Sequence, residues 1–415
     1  MNNLFGVTNF SKSIISKAKG SYVWDTTGKK LMDLNSGQFC ALFGHSYEPL
    51  NEVIYEQIKK VTHLNTMQIS ETVIEAANLV ASIHNQGLNK TIFLSTGAEA
   101  NECALRYAKF ITGNSKILSL DKGYHGLTLE TQSITMGGEW ARPLVPGSIT
   151  VLTPDVLYRP KDLSEEAFVD KCINDLETKI KENSGEIAAF ILEPILGVGG
   201  MIILPKRYIE AARKLCTQNN ILLIMDECQT GFGRTGYWFA YQYYNVTPDI
   251  VVTAKAMGAG FPVAAVTFNE KVVKEVEWKI SHFSSHQNDP LACTIVSFVI
   301  KTIQEKNLLD TNTQKGQYFI KKLKEAEALT PLIINSRGIG FMIAFDIPER
   351  YLGANRELCK AIIETLEEKG IILQAIRKGI TFRILPSYMT SYDEIDEFVG
   401  TLLESLKELE EDFVK

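Results

Sequence analysis

The stretch Asp249-Ile-Val-Val-Thr-Ala-Lys255-Ala-Met-Gly-Ala-Gly-Phe-Pro262 indicates both how this 415-residue chain folds and what chemistry it can carry. Its β-branched residues predict a short buried strand, and the glycines that follow cannot extend a helix. Lys255 therefore stands where a buried strand gives way to a Gly-rich turn. A lysine in that position is poorly solvated and well placed to form an imine with a carbonyl group. The alternative is an exposed surface lysine, the usual state of this residue, and the apolar residues around Lys255 argue against it.

A second strand end, upstream of Lys255, supplies a carboxylate. Residues 221–225 form an apolar run, and Asp226 and Glu227 follow it. A carboxylate at the end of a strand is commonly only a helix cap. A pyridinium nitrogen also needs such a partner, because a negative charge keeps the ring protonated and able to accept the electrons of a carbanion. Lys255 and Asp226 together favour pyridoxal phosphate chemistry.

Composition and charge narrow the class of protein. Hydrophobic residues make up 45% and charged residues 22%, close to the averages for globular proteins, which excludes disordered and fibrous classes. The net charge of -6 gives no electrostatic reason to bind nucleic acid or an anionic membrane, so we expect small-molecule substrates. The seven cysteines are scattered singly, and neither a signal peptide nor a run of ~20 apolar residues is apparent. A cytoplasmic location is therefore expected.

The order of apolar and amphipathic stretches predicts an α/β fold with more than one domain. Short apolar runs alternate with amphipathic stretches from about residue 50 to 290, which is typical of a mostly parallel sheet covered by helices. Long helical stretches and a few strands follow. We expect an N-terminal segment (1–50) that joins the small domain, a large α/β domain (51–290) and a C-terminal α+β small domain (291–415). A hairpin that turns at Thr27-Gly28 is expected in the first segment.

Five apolar runs each end in residues that can bind or react. In open α/β sheets, ligands lie beyond the carboxyl ends of the strands, so these residues should converge on one cleft. They are Ser95-Thr96-Gly97-Ala98, Gly123-Tyr124-His125-Gly126, Glu193-Pro194, Asp226-Glu227 and Lys255.

Some of these motifs have both a functional and a structural interpretation. Ser95-Thr-Gly-Ala-Glu-Ala-Asn101 lies at a strand-to-helix junction, where free N–H groups and the helix dipole favour a phosphate. The same residues can form an ordinary helix start, with Ser95 or Thr96 as N-cap and Glu99 completing a capping box. Tyr124 can stack on a heteroaromatic ring or pack in the protein. His125 is interpreted as a structural residue, with a position beside the ring as the alternative.

Taken in order, these motifs resemble the class III aminotransferases of fold type I. They are Ser95-Thr-Gly-Ala-Glu-Ala-Asn101, Tyr124-His-Gly126, Glu193-Pro194, Asp226-Glu-x-Gln-Thr-Gly-Phe-Gly-Arg-Thr-Gly236 and Lys255, and the resemblance extends from Gly20 to about Pro386. It implies a fold type I PLP transferase with a large, mostly parallel seven-stranded α/β/α domain and a smaller α+β domain. The implied cofactor is pyridoxal 5′-phosphate, and the implied assembly is a homodimer with shared active sites.

The resemblance also implies a role for each motif residue. Lys255 forms the Schiff base with the cofactor and shuttles the proton, while Asp226 pairs with the pyridinium. Tyr124 covers one face of the ring, and Arg383 binds a substrate carboxylate, for which a planar guanidinium is suited. The remaining cofactor contacts are assigned to Thr96, Gly97, Ala98, His125, Glu193, Gln229 and, from the other subunit, Ser285.

Within the family, the sequence is most similar to the dialkylglycine decarboxylase branch. Gln38, in Ser36-Gly-Gln38, matches the glutamine that touches the scissile carboxylate in that branch. Asp289 falls at an alkali-metal ligand, with Ser70 as a companion. Two positions depart from the branch: Tyr124 stands where the decarboxylase has Trp, and Ser285 replaces the usual Thr.

These observations predict a transaminase that moves an amino group between an amine or amino acid and a 2-oxo acid or aldehyde. A decarboxylating transaminase is the alternative that Gln38 and Asp289 suggest, and an amino-acid racemase on the same scaffold is a third. A nucleotide-binding or regulatory protein, which holds a phosphate at residues 95–98 without catalysis, belongs to a different class. It predicts a colourless protein in which Lys255→Ala changes nothing.

Overall fold

The computed structural model of the protein describes residues 3–6, 11, 13–139 and 144–414. Its strands are β1 (Ile15–Lys19), β2 (Tyr22–Asp25), β3 (Lys30–Asp33), β4 (Leu88–Leu94), β5 (Lys116–Leu120), β6 (Ser148–Val151), β7 (Ile187–Leu192), β8 (Ile195–Leu196), β9 (Ile202–Ile203), β10 (Leu222–Asp226), β11 (Ile250–Thr253), β12 (Ala264–Asn269), β13 (Ile334–Ile339), β14 (Met342–Asp346), β15 (Ile371–Ile372), β16 (Gln374–Ile376) and β17 (Thr381–Ile384).

A seven-stranded sheet forms the centre of the fold. Its strand order is β4-β12-β11-β10-β7-β5-β6, and β12 runs antiparallel to both of its neighbours while the other pairs are parallel. The central strand β7 is buried along its whole length, which explains its continuous apolar sequence Ile-Ala-Ala-Phe-Ile-Leu. The prediction of a mostly parallel seven-stranded sheet is confirmed.

Helices cover this sheet and extend into the C-terminal part of the chain. They are α1 (Ser36–Phe39), α2 (Glu48–Lys60), α3 (Glu71–Ile83), α4 (Gly97–Thr112), α5 (Leu129–Ile134), α6 (Glu165–Glu182), α7 (Lys206–Gln218), α8 (Ala240–Tyr243), α9 (Glu270–Val273), α10 (Pro290–Glu305), α11 (Leu308–Glu327), α12 (Glu357–Glu368) and α13 (Tyr392–Phe413). No helix within the described ranges is both long and apolar enough to cross a bilayer.

Helix α4, which begins at the predicted phosphate motif, has clear start and stop signals. The side chain of Thr96 is its N-cap and accepts a hydrogen bond from the N–H of Glu99 at 3.3 Å. Gly113 ends the helix in the left-handed conformation with a φ of 71°, which glycine adopts without steric cost. The N-terminus of α4 is therefore fixed at the end of β4.

The structure also has two four-stranded sheets, and the first of them joins the N-terminal segment to the C-terminal part of the chain. The expected hairpin forms between β2 and β3, and β3 pairs in parallel with β15. The order of this sheet is β1-β2-β3-β15, so the N-terminal segment is bonded to the C-terminal part. A second four-stranded sheet has the order β13-β14-β17-β16. The division at residues 50 and 290 stays a proposal, which this pairing supports.

Candidate active site

A cavity of about 1700 Å³ lies at the carboxyl ends of the parallel strands. Most residues predicted for the site line it, as expected for ligands of open α/β sheets. Those residues are Gln38, Thr96, Gly97, Ala98, Tyr124, His125, Asp226, Gln229, Lys255 and Arg383. The sequence motifs therefore converge in space.

Lys255 projects into the cavity from the turn after β11. It begins a 3-10 turn, Lys255–Gly258, and has a φ of 49°, a left-handed conformation that costs of order 1–3 kcal/mol in residues other than glycine. The residue is half-buried, and its Nζ lies 5.8 Å from the centroid of the Phe39 ring. The interpretation as an ordinary surface lysine is therefore wrong.

The opposite wall is also built on left-handed backbone. All four residues of α1 have a positive φ: 44° at Ser36, 53° at Gly37, 66° at Gln38 and 71° at Phe39. The hydroxyl of Ser36 donates to the backbone oxygen of Leu385 at 2.7 Å, which ties this turn to the end of β17. Phe39 is buried, whereas Gln38 is exposed to the cavity. Strain of this kind is concentrated at functional sites.

Asp226, at the end of β10, is held as a carboxylate by three donors. Its Oδ2 accepts from Asn101 Nδ2 at 2.8 Å and pairs with His125 Nδ1 at 2.9 Å, while Oδ1 accepts from the N–H of Cys228 at 3.1 Å. Burial by itself raises the pKa of Asp226, but the hydrogen bonds from His125 and Cys228 outweigh burial and the pKa is lowered. The residue therefore presents a negative charge to the cavity.

The turn before α4 fits an anion and also has the predicted local cap. A Cβ at Gly97 would lie 2.8 Å from Cys228 Sγ, so the close approach of these two loops requires glycine. The first N–H groups of a helix have no partner within the helix, and they point toward the cavity end of α4. Glu99 Oε2 accepts a hydrogen bond from the N–H of Ser95 at 3.0 Å, as a capping residue does. The helix cap and the anion site are compatible.

Glu193 supports the cavity wall from behind. Its Oε1 accepts from the N–H of Tyr124 at 2.8 Å, and its Oε2 accepts from the N–H of Gly197 at 3.1 Å and from Gln229 Nε2 at 3.4 Å. Burial raises the pKa of Glu193 to about 7, against the lowering effect of His125. Glu193 was predicted as a direct cofactor contact, but it is not part of the cavity lining. Its partners indicate that it positions Tyr124 and Gln229.

Arg383 lies in the wall formed by β16 and β17. It is 4% exposed, its guanidinium donates to Gln374, and its carbon Cζ lies 5.4 Å from the centroid of the Phe39 ring. Burial lowers the pKa of Arg383 to about 10, and the charge of Glu193 opposes that shift. A buried cation with Nε unbonded among the described residues is suited to a carboxylate ligand.

Three functional side chains were missed at the sequence level. Asn101 stood at the end of the quoted motif without a role, and its position four residues after Gly97 places it on the same helix face. Gln374 is directly opposite Arg383 in the β16–β17 pair, a register that the sequence does not reveal. Phe39 lies under both Lys255 and Arg383, and no signal in the sequence marks it.

Besides Glu193, three predicted residues do not line this cavity. Ser285 is exposed on the loop before α10. Ser70 Oγ lies 2.8 Å from Thr72 Oγ1, and the side chain of Asp289 is occupied by N–H donors from Leu291 and two histidines. The alkali ion predicted at Asp289 and Ser70 stays a prediction, and the hydrogen-bond partners of Asp289 are nitrogen groups.

Comparison with known proteins identifies the family. The profile of the family described as Aminotransferase class-III matches residues 6–406. The chain belongs to the class III aminotransferases. An uncharacterized aminotransferase of Schizosaccharomyces pombe is 32% identical over 94% of this chain and 90% of its own length. The acetylornithine aminotransferase of Methanothermobacter thermautotrophicus is 31% identical over 94% of this chain and 92% of its own length.

Solved structures agree with this assignment. The omega transaminase of Pseudomonas jessenii, in complex with PMP, superposes with a TM-score of 0.92 and 27% identity, over 99% of this chain and 97% of that one. The fold type I prediction is confirmed, and the chain is an aminotransferase of the pyridoxal-phosphate-dependent kind. The relatives named here do not point to the dialkylglycine decarboxylase branch.

The residues of this chain fit pyridoxal 5′-phosphate, the cofactor of the family. The cavity combines a lysine, a buried carboxylate and a helix N-terminus, which match an aldehyde, a pyridinium and a phosphate respectively. Gln229 Oε1 and His125 Nε2 are buried and have no hydrogen-bond partner among the described residues. Buried polar atoms are normally paired, so these two fit a ligand in the cavity.

Proposed function

We propose that this aminotransferase holds its cofactor covalently through Lys255 Nζ and neutralises the pyridinium with Asp226. The observation that carries the proposal is the convergence of Lys255, Asp226 and the N-terminus of α4 in one cavity. Thr96, Gly97 and Ala98 would hold the phosphate. When bound, pyridoxal 5′-phosphate supplies a ring that accepts electron density from the substrate carbon.

The chain's own groups then control the protons. Lys255 Nζ would take the proton from the substrate carbon and deliver it to the cofactor carbon, since Nζ becomes free once the substrate amine is bound. Asp226 keeps its negative charge because His125 and Asn101 donate to Oδ2. Tyr124 would cover the ring face, and its backbone N–H is fixed by Glu193.

Substrate orientation would come from the opposite wall. Arg383 is placed by Gln374 and can grip a substrate carboxylate with two parallel hydrogen bonds. That grip sets which bond at the substrate carbon stands perpendicular to the ring, and therefore which bond breaks. We infer that at least one substrate is an amino acid or oxo acid with a carboxylate at this position.

A decarboxylating transaminase is the second candidate, and a racemase is a third. The placement of Gln38 favours decarboxylation, because its left-handed turn exposes the side chain to the cavity on the same wall as Phe39. Incubation with 2-aminoisobutyrate, which has no α-hydrogen, separates the reactions. Carbon dioxide release at the rate of amino transfer would favour decarboxylation, and we expect none.

A homodimer with shared active sites is also proposed. Met67 is 82% exposed and Phe283 70% exposed, and their segments are joined by a hydrogen bond from Thr66 Oγ1 to the oxygen of Ser284 at 3.1 Å. Exposed apolar side chains next to each other indicate a surface that a partner covers. Ser285 lies on this surface, where it would reach the partner's phosphate.

A cytoplasmic location is also proposed. It is supported by the seven cysteines, all of which are free thiols.

A single-turnover spectrum tests the proposed roles. With an amino donor in excess, the visible absorbance of the holoenzyme should shift as the amino group is transferred, and 2-oxo acid should restore it. Lys255→Ala should slow both halves of the cycle by at least about 10²-fold. Lys122→Ala is the matched control, because Lys122 also lines the cavity but is paired with Asp155. An unchanged cycle in Lys255→Ala would refute the proposal.

A further inference from the structure

Two histidines and an aspartate form a cluster away from the active-site cavity. His63 follows α2, and His286 and Asp289 lie on the loop and cap that precede α10. Nδ1 of His63 lies 2.8 Å and Nδ1 of His286 3.0 Å from the same oxygen, Oδ2 of Asp289. The ring centroids of the two histidines are 4.8 Å apart. His63 and His286, which are far apart in the sequence, thus meet at one carboxylate oxygen.

This donor set does not suit an alkali ion. Alkali ions are hard cations, and hard cations take oxygen ligands from carboxylates, carbonyls and hydroxyls. The two side chains that bond to Asp289 both present imidazole nitrogens. Its other oxygen, Oδ1, accepts the backbone N–H of Leu291 at 3.1 Å. Imidazole and carboxylate together are instead ligands of zinc, cobalt and nickel.

We propose that His63, His286 and Asp289 bind a divalent transition-metal ion of the zinc type. The three ligand atoms lie within 4.8 Å of one another, and ligand atoms around tetrahedral zinc are about 3.4 Å apart for bonds of ~2.1 Å. Small side-chain rotations close the difference. Each neutral imidazole binds through Nδ1 once its proton is on Nε2, so binding needs no other change of protonation. Three protein ligands leave a fourth position for water.

The ion would clamp two segments that support the phosphate turn. One is the connection between α2 and α3, which carries His63; the other is the loop of His286. Ser284 Oγ donates to Glu99 Oε1 at 2.7 Å, and the same Glu99 accepts the N–H of Ser95. Within the part of the chain that the structure describes, Nδ1 of each histidine has Asp289 Oδ2 as its hydrogen-bond partner. The metal would therefore add a direct link between the two segments. We expect metal binding to raise the thermal midpoint of the protein.

Metal binding to the untagged holoenzyme tests the proposal without reference to catalysis. The protein is treated with chelator, desalted and titrated with Zn²⁺ alone, and bound zinc is counted by elemental analysis after gel filtration. We expect one zinc per chain in the wild type. His63→Gln and His286→Gln should each weaken binding at least about tenfold. Co²⁺ in place of Zn²⁺ should give visible absorption bands that the double variant lacks.

His282→Gln is the matched control. His282 lies on the same loop, but its Nδ1 faces Gln287 Oε1 at 2.7 Å and not Asp289. It should bind zinc like the wild type. The glutamine variants are preferred to changes at Asp289, because Asp289 also caps α10. A wild type that binds no zinc would overturn the proposal, and so would a His63→Gln/His286→Gln double variant that binds zinc as tightly as the wild type.

Discussion

Asp226 and Glu227 are neighbours at the end of β10 and both are buried, yet their carboxylates face different surroundings. Asp226 faces the cavity and is flanked by buried groups that lack partners among the described residues, such as His125 Nε2. Glu227 faces the core, where its oxygens accept from the N–H groups of Ala240 and Tyr241 at 3.0 and 2.8 Å, and from the hydroxyl of Thr230. It caps the first turn of α8.

The two carboxyl groups also differ in their proton affinity. Hydrogen bonds outweigh burial at Asp226, and its pKa is lowered; at Glu227 burial outweighs the hydrogen bonds and raises the pKa to about 7. Successive residues of a strand point to opposite faces. One strand end can therefore supply a charge for chemistry on one side and a structural cap on the other. This predicts that a mutation of Asp226 impairs catalysis, whereas a mutation of Glu227 impairs only stability.

The largest expected effect is that of Asp226→Asn. The substitution removes the negative charge that pairs with the pyridinium while keeping the size of the side chain. Loss of one partner of a buried charged pair costs about 2–5 kcal/mol, so kcat/KM for amino transfer should fall roughly 30- to 5000-fold. The apoenzyme should also lose stability, by about 1–3 kcal/mol, because the amide turns an N–H group toward one of the three donors, so the fall in kcat/KM is what distinguishes this variant. Wild-type activity in this variant would show that the charge of Asp226 is not needed for amino transfer.

Arg383→Lys should give the next largest effect, at the cavity wall formed by β16 and β17. Lysine keeps the charge but loses the planar fork that grips a carboxylate. Hydrogen bonds to charged groups contribute about 1.5–3 kcal/mol, so KM for the carboxylate substrate should rise roughly 10- to 150-fold. An amine substrate without a carboxylate serves as the control, because its KM should stay the same. Equal effects on both substrates would show that Arg383 does not bind the carboxylate.

Glu227→Gln should lower stability without lowering the catalytic rate. The amide presents N–H groups to the N–H donors of α8, and a buried unsatisfied group costs about 1–3 kcal/mol of stability. We expect a lower thermal midpoint with kcat unchanged at temperatures where the variant is folded. Lost activity at an unchanged midpoint would place Glu227 in the catalytic machinery and remove the distinction from Asp226.

The smallest expected effect is the pH dependence of stability that arises from the raised pKa of Glu227. The pKa of Glu227 is raised from 4.5 to about 7 in the folded state, so between these values the folded protein holds a proton that the unfolded chain has released. Its contribution to stability is therefore present below about pH 4.5 and is lost as the pH rises to about 7. The midpoint of the wild type should fall relative to Glu227→Gln over this interval. Parallel curves would contradict the raised pKa.

The sequence predicted those parts of the site that follow from local patterns. Apolar runs that end in polar residues located β5, β7, β10 and β11, because strands in a parallel sheet are buried along their length and change character only at their ends. In β4, which pairs antiparallel and exposes Asn89 and Lys90, only the buried end that precedes Ser95 was located in this way. Lys255, Asp226 and the motif beginning at Ser95 were found this way.

The remaining parts depend on contacts between distant segments. Gln374 meets Arg383 through strand register, and Glu193 supports Tyr124 from another strand end. His63 reaches Asp289 across 226 positions, and no local pattern joins them. Contacts of this kind are set by packing and register, which a single sequence does not display.

Borohydride reduction of the wild-type holoenzyme, followed by peptide mass spectrometry, tests the central claim most directly. Reduction turns the bond between a lysine and the cofactor into a stable secondary amine, which marks the residue that held it. The account predicts a phosphopyridoxyl group on the peptide that contains Lys255 and on no other lysine of the cavity. An unmodified Lys255, or the group on Lys122, would contradict it.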